Sequence, residues 1–159
     1  MGVLNERASA LVARARAAAQ KIATAESCTG GMIAAAITDI AGASSVFGFG
    51  FVTYANAAKT AMLGVPAPMI AAEGAVSEAV ARAMASGARA RADADIAIAV
   101  TGIAGPEGGS PEKPVGTVWF GLATRDAVWA ERIMFAGDRA AVRAQTVEHA
   151  LARLHDAIS

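Results

Sequence analysis

The sequence predicts a three-layer α/β domain, with a mixed, mainly parallel sheet that ends in a β-hairpin and helices on both faces. Three observations lead there. Strand-like and helix-like segments alternate through the first two-thirds of the chain, the order expected of crossover units. The run Ile96-Ala97-Ile98-Ala99-Val100 is wholly apolar between Asp95 and Gly102, as a strand covered on both faces should be. The last two strand-like segments, 115–124 and 127–136, are separated only by Arg125-Asp126, which makes them a hairpin.

Each element has a local reason. Leu4, Ala8, Leu11, Val12 and Ala15 follow helical spacing, so residues 3–19 read as an amphipathic helix rather than an Arg-containing organelle leader. A short strand follows from Ile22 to Ala25. The segment Glu26-Ser27-Cys28-Thr29-Gly30-Gly31 then leads into a helix from Met32 that stops near Gly42. Val46 to Tyr54 alternates Phe with Gly, a strand with small residues on one face. Asn56 is placed to cap a short helix that Gly64 ends after Leu63. Residues 66–73 form a further short helix or turn. Ser77 opens a longer helix with Val80, Met84 and Ala88 on one stripe. A glycine- and proline-rich loop spans 102–114, and Asp138 caps a final helix with Val147, Ala150, Leu151, Leu154 and Ile158 facing the core. No linker, repeat or low-complexity tract interrupts the chain, so a single domain is expected over 1–159.

Composition narrows the function classes. The chain is 55% hydrophobic and 18% charged, which excludes a disordered chain. Of its 159 residues 43 are Ala, so the core must be built from closely approaching elements. At this length folding buries roughly 70% of the unfolded surface, enough for a core without a metal or disulfide. Basic and acidic residues balance at 14 each, with no Lys/Arg cluster. Nucleic acid is therefore a poor partner, while near-zero net charge leaves self-association into a dimer or higher homo-oligomer open. The lone Cys28 excludes an internal disulfide framework and points to a reducing, cytoplasmic setting. Two histidines and one distant cysteine make no zinc site. No apolar run reaches the length of a membrane span.

The chemistry-bearing residues cluster at strand ends, where ligands of such sheets bind. Ser27 precedes a helix start whose unbonded amides, with Gly30 and Gly31, would suit a nucleophile beside an oxyanion site. Ser27 or Thr29 could equally be a helix cap. Cys28 is the rival nucleophile, since a thiol at a helix N-terminus has a lowered pKa. The loop matches neither a phosphate-binding GxxxxGK[ST] pattern nor GxSxG. A histidine base is not expected, because His149 and His155 both lie in the last helix. The chain has 11 Arg but only Lys21, Lys59 and Lys113. Arg cannot lose its proton, whereas a lysine among apolar groups can. Lys59 follows Tyr54 and Asn56 in a helix rich in Ala and Met, an apolar setting, although a solvated lysine is the plainer reading of these residues alone. Ser110 and Lys113 match an SxxK spacing, but the flanking Gly and Pro residues argue against the helix that spacing needs. The loop from Thr101-Gly102 to Gly109 could cradle an anion or be a simple connection. Arg139 and Arg143 share a helix face and read as a phosphate clamp or as surface charges.

Several stretches taken together, Ala25-Glu26-Ser27-Cys28-Thr29-Gly30-Gly31, Phe51-Val52-Thr53-Tyr54-Ala55-Asn56-Ala57-Ala58-Lys59, Gly74-Ala75-Val76-Ser77, Thr101-Gly102-Ile103-Ala104-Gly105-Pro106, Pro114-Val115-Gly116-Thr117-Val118 and Gly137-Asp138-Arg139, resemble the CinA C-terminal domain family over residues 4–157. The resemblance implies a three-layer α/β fold, no metal or cofactor, and deamidation of nicotinamide mononucleotide to nicotinate mononucleotide and ammonia. It implies a Ser27/Lys59 hydrolytic dyad, with Tyr54, Thr101 and Arg139 lining the pocket. On that footing the amides of Gly30 or Gly31, or the Thr101 hydroxyl, are expected to hold the oxyanion. Lys59 or Tyr54 would protonate the ammonia. Thr29 and Gly102 would contribute to the substrate pocket, Glu26 would face the pyridinium ring, and Arg139 or loop amides would hold the phosphate. The alternative is a non-catalytic nucleotide-binding or regulatory domain that uses the two glycine loops as a cradle.

Overall fold

The computed structural model describes residues 2–158. Residues 1 and 159, the ends of the domain expected over 1–159, lie outside the described residues. The elements run α1 (Gly2–Ala18), β1 (Ile22–Glu26), α2 (Met32–Thr38), a 3₁₀ turn (Ala43–Ser45), β2 (Phe47–Val52), α3 (Asn56–Leu63), α4 (Ala67–Glu73), α5 (Glu78–Ala92), β3 (Ile96–Gly102), β4 (Thr117–Ala123), β5 (Val128–Met134) and α6 (Arg139–Ala157). The element order is the expected one. The helix expected to reach Gly42 ends at Thr38 and hands over to the 3₁₀ turn, and β2 stops at Val52, short of Tyr54.

The five strands form one sheet in the order β2-β1-β3-β4-β5. β1 pairs in parallel with β2 and β3, while β4 is antiparallel to both β3 and β5. Four of the five strands thus run one way and only β4 is reversed.

Period-two alternation divides the sheet into two unlike faces. One face presents Ile22, Ile96, Ile98, Val100, Val118, Phe120 and Leu122 to α1, α2 and α6. The other presents Ala23, Ala25, Ala97, Ala99 and Ala123 to Leu63 of α3, Ile70 of α4 and Val80, Met84, Ala85 and Ala88 of α5. The alanine-rich composition therefore has a specific use, since it lets α5 lie close against the sheet. At Gly121 a Cβ would come within 2.2 Å of the Ala81 carbonyl oxygen of α5, so any side chain there would push the helix away.

The alternation also decides where the chemistry lies. Glu26 shares the face of Ile22 and Thr24, towards α2. Ser27 follows Ala23 and Ala25 onto the opposite face, as does Thr101 after Ala97 and Ala99. Both emerge beneath α3, at the carboxyl ends of β1 and β3.

Candidate active site

Ser27 sits where β1 ends, its amide donating to the Val100 carbonyl at 3.1 Å. The chain then makes a tight turn in which the Gly30 amide donates to the Ser27 carbonyl at 3.1 Å. It enters α2 through Gly31, whose φ of +109° lies outside the range of L side chains.

Lys59 reaches this point from one turn inside α3. It is 1% exposed, among the largest fully buried side chains of the protein. Its Nζ lies 3.0 Å from Ser27 Oγ, 2.9 Å from the Thr53 carbonyl oxygen and 3.3 Å from that of Tyr54. Burial pushes its pKa below the ordinary lysine value, with Cys28 acting the other way. An uncharged amine has two N–H groups and one lone pair. Two carbonyls at hydrogen-bond distance accommodate the two N–H groups, which leaves the lone pair facing the Ser27 hydroxyl.

A cavity of about 200 Å³ opens over this pair. Tyr54, Asn56, Val76, Thr101, Gly102 and Arg139 contribute to its wall. It shares Ala104 and Arg139 with a neighbouring cavity of about 680 Å³, where Gly137, Asp138 and Arg143 mark the start of α6. Tyr54 is 62% exposed at the mouth, and its hydroxyl accepts from Arg139 Nη2 at 3.2 Å. Arg139 Nη1 donates to the Gly105 carbonyl at 3.0 Å, tying α6 to the second glycine loop.

Several expected site residues take other roles. Glu26 does not reach the cavity. Its carboxylate is fully buried on the α2 side, accepting from Thr29 Oγ1 at 2.5 Å and from the Ile33 and Ala34 amides at 2.8 and 3.0 Å. It caps α2 from outside the helix and takes up the positive end of the dipole that a ligand was expected to use. Thr29 is buried with it and is equally remote from ligand. Glu26→Ala strands these donors in a dry site, and urea unfolding is expected to show a loss of about 1–3 kcal/mol.

The expected oxyanion donors change too. The Gly30 amide is already bound to the Ser27 carbonyl. The Thr101 hydroxyl donates to the Ala75 carbonyl at 2.9 Å, so its proton is committed. Asn56, read as a cap, is instead the first residue of α3, whose N-cap is Ala55, and its side chain makes no capping bond. Lys113 Nζ donates to the Glu73 carbonyl, away from the cavity, and no helix joins it to Ser110. His149 pairs with Glu131 on β5.

Cys28 is not an activated thiol. It packs into the core beneath α1 and α6 at 6% exposure, and burial pushes its pKa up to about 11, reversing the expected lowering. Cys28→Ala is expected to leave turnover within a few-fold of the wild type, measured by ammonia release.

Arg143, read as a phosphate clamp or surface charge, is partly buried and donates to the Cys28 and Thr29 carbonyls at 3.1 and 3.3 Å. Nothing local in the sequence signals a bond to residues more than a hundred positions away. Among the described residues no cluster of three or more His, Cys, Asp or Glu side chains could hold a metal, and no helix is long and apolar enough to cross a membrane.

The family model described as the CinA C-terminal domain matches residues 4–158. The CinA-like protein of Citrifermentans bemidjiense is 59% identical over 130 residues, covering 82% of this chain but 31% of its own length. The chain spans about a third of the length of the first curated relatives it matches. The nicotinamide-nucleotide amidohydrolase PncC of Pseudomonas putida is 53% identical over 131 residues, with 82% of each chain covered. The competence/damage inducible protein of Agrobacterium tumefaciens superposes with a TM-score of 0.94 at 45% identity, over 97% of this chain and 94% of its own.

Proposed function

This chain belongs to the CinA C-terminal domain family, and from that premise we propose that it is an amidohydrolase that converts nicotinamide mononucleotide and water to nicotinate mononucleotide and ammonia through a Ser27/Lys59 dyad. The observation that carries the reading is the buried Lys59 amine 3.0 Å from Ser27 Oγ, held by two carbonyls in a site where burial favours its uncharged form.

Ser27 Oγ attacks the carboxamide carbon while its proton passes to Lys59 Nζ. The tetrahedral intermediate collapses, the C–N bond breaks, and Lys59 returns the proton to the departing nitrogen as ammonia. Water, deprotonated by Lys59, then attacks the acyl-serine. Breaking of the ester C–O bond releases the product as its carboxylic acid, which gives its proton to solvent, and restores the Ser27 hydroxyl with the proton that Lys59 holds. The amine is neutral at each point where it must act as a base and protonated only while it carries the proton in transit.

The two adjoining cavities fit the two ends of a mononucleotide. The amide lies over Ser27, and the phosphate runs past Arg139 towards the larger cavity. With Glu26 committed to α2, the exposed ring of Tyr54 is the group left to face the pyridinium cation. Its hydroxyl accepts from Arg139, and in this reading Tyr54 lines the substrate pocket while Lys59 carries the proton to the departing nitrogen.

The same reading keeps the activity within one domain in a reducing compartment and has copies associate. The uncharged edge strand β2, with Phe49 and Val52 exposed, offers a surface for that.

The test is ammonia release from nicotinamide mononucleotide by the purified chain, with nicotinate mononucleotide identified as the second product. Equimolar appearance of both supports the reading. Saturable nucleotide binding with no turnover would favour the non-catalytic cradle instead.

A further inference from the structure

Resting on that amidase reading, we propose that Arg143 is a positioning residue for the reaction. From α6 it locks the turn after the nucleophile so that the turn's free Cys28 amide serves as an oxyanion donor.

The turn runs from Ser27 to Gly30, closed by the Gly30 amide on the Ser27 carbonyl. Its central peptide joins Cys28 to Thr29. In a turn of this kind the central peptide is the unit that can flip between alternative forms while both ends stay fixed, reversing the directions of its C=O and N–H. Arg143 Nε holds the C=O of that peptide at 3.1 Å, and Nη2 holds the next carbonyl, that of Thr29, at 3.3 Å. The planar guanidinium thus grips two successive carbonyls and sets one orientation. Fixing the Cys28 carbonyl towards α6 holds Cys28 in one backbone conformation, and the Gly30 bond to the Ser27 carbonyl sets the preceding peptide, whose Cys28 N–H points opposite to that carbonyl.

The amides that remain are few. Ser27 N–H is bound to the Val100 carbonyl and Gly30 N–H to the Ser27 carbonyl. Among the described residues the Cys28, Thr29 and Gly31 amides have no acceptor, and of these three residues only Cys28 lines the cavity. Cys28 borders the cavity above Ser27, and the residue after a nucleophile is well placed to donate to the oxyanion. Of the three donors named from the sequence, the Gly30 amide and the Thr101 hydroxyl are occupied, and Gly31 does not line the cavity. The turn that Arg143 holds therefore supplies what the site otherwise lacks.

The test compares Arg143→Ala and Arg143→Lys with the wild type in steady-state hydrolysis of nicotinamide mononucleotide, alongside thermal unfolding. Arg143→Ala is expected to lower kcat by about 10²-fold, the scale of one lost oxyanion donor, with KM within a few-fold. Arg143→Lys, which keeps the charge but lacks the planar fork that spans both carbonyls, is expected to fall between. Millimolar guanidinium, which can enter through the larger cavity that Arg143 borders, should restore part of kcat to Arg143→Ala and none to Lys59→Arg. The alkaline rise of kcat/KM should keep its position in both Arg143 variants. An unchanged kcat, an effect confined to KM, or a loss that follows unfolding without guanidinium rescue would each overturn the proposal. If Arg143→Ala does not fold, an Arg143→Lys kcat equal to that of the wild type overturns it. A wild type that releases no ammonia overturns the amidase reading and this inference with it. A wild type that turns over while the Arg143 variants match it overturns this inference alone.

Discussion

Ser27→Ala is expected to reduce ammonia release from nicotinamide mononucleotide by roughly 10⁶-fold, the scale seen when a nucleophile that works as a unit with its base is removed. Binding should survive, because the substitution removes one hydroxyl and leaves Tyr54, Arg139 and the cavity wall in place. The fold should survive as well. Lys59 Nζ keeps the Thr53 and Tyr54 carbonyls, and Ala at position 27 continues the small-residue face of Ala23 and Ala25. Calorimetric titration with the nucleotide beside the ammonia assay checks both halves. Cys28 cannot rescue the variant, since its thiol lies in the core and stays protonated at neutral pH.

Lys59→Arg is expected to cost about 10²–10⁴-fold in kcat/KM, the range attributed to a positioned general base. A guanidinium stays protonated and has no lone pair to offer the Ser27 hydroxyl. The wild-type pH profile follows from the direction of the Lys59 shift. Its folded-state pKa lies below the ordinary 10.5 because burial disfavours the ammonium, so the free base accumulates earlier as pH rises. kcat/KM should climb with pH through that lowered pKa and level off before 10.5, and Lys59→Arg should lose this limb. Stability has the matching sign. The unfolded chain binds more protons than the folded one between the lowered pKa and 10.5, so Lys59 makes folding more favourable as pH rises through that window. Below it the residue carries the full cost of a buried cation. Urea unfolding of wild type and Lys59→Met across that window checks the second statement.

The fold is legible in the sequence because punctuation and periodicity agree. Ser77 and Asp138 cap the helices they precede, accepting from Val80 and Ala141. Gly64 ends α3, and the apolar run at Ile96 is the central strand. Ser27 and Lys59 are legible as candidates, one from its place before a helix and the other from the scarcity of lysine. The roles around them are less so, because they depend on which face a residue meets. Glu26 looks like a ligand group beside a catalytic serine, yet one position of strand alternation sends it to the opposite side of the sheet. It caps a helix whose bonded amides begin seven residues later, a spacing no local capping pattern covers. Thr101 reaches the right cavity with its proton already given to Ala75, a partner 26 residues away. Arg143 is the extreme case, with partners 114 and 115 residues away. Cys28 shows how a rule about helix termini fails once the side chain turns into the core, where desolvation outweighs the dipole.

With lysines only at 21, 59 and 113, the charge state of the proposed base can be read directly. Lysine labelled with ¹³C at the ε position should give three resonances whose titration is followed by NMR. The account predicts that the one absent in Lys59→Arg titrates below 10.5 and in step with the rise of kcat/KM. A Lys59 resonance that titrates near 10.5 would contradict it, because Lys59 would then be a buried cation with no lone pair for Ser27.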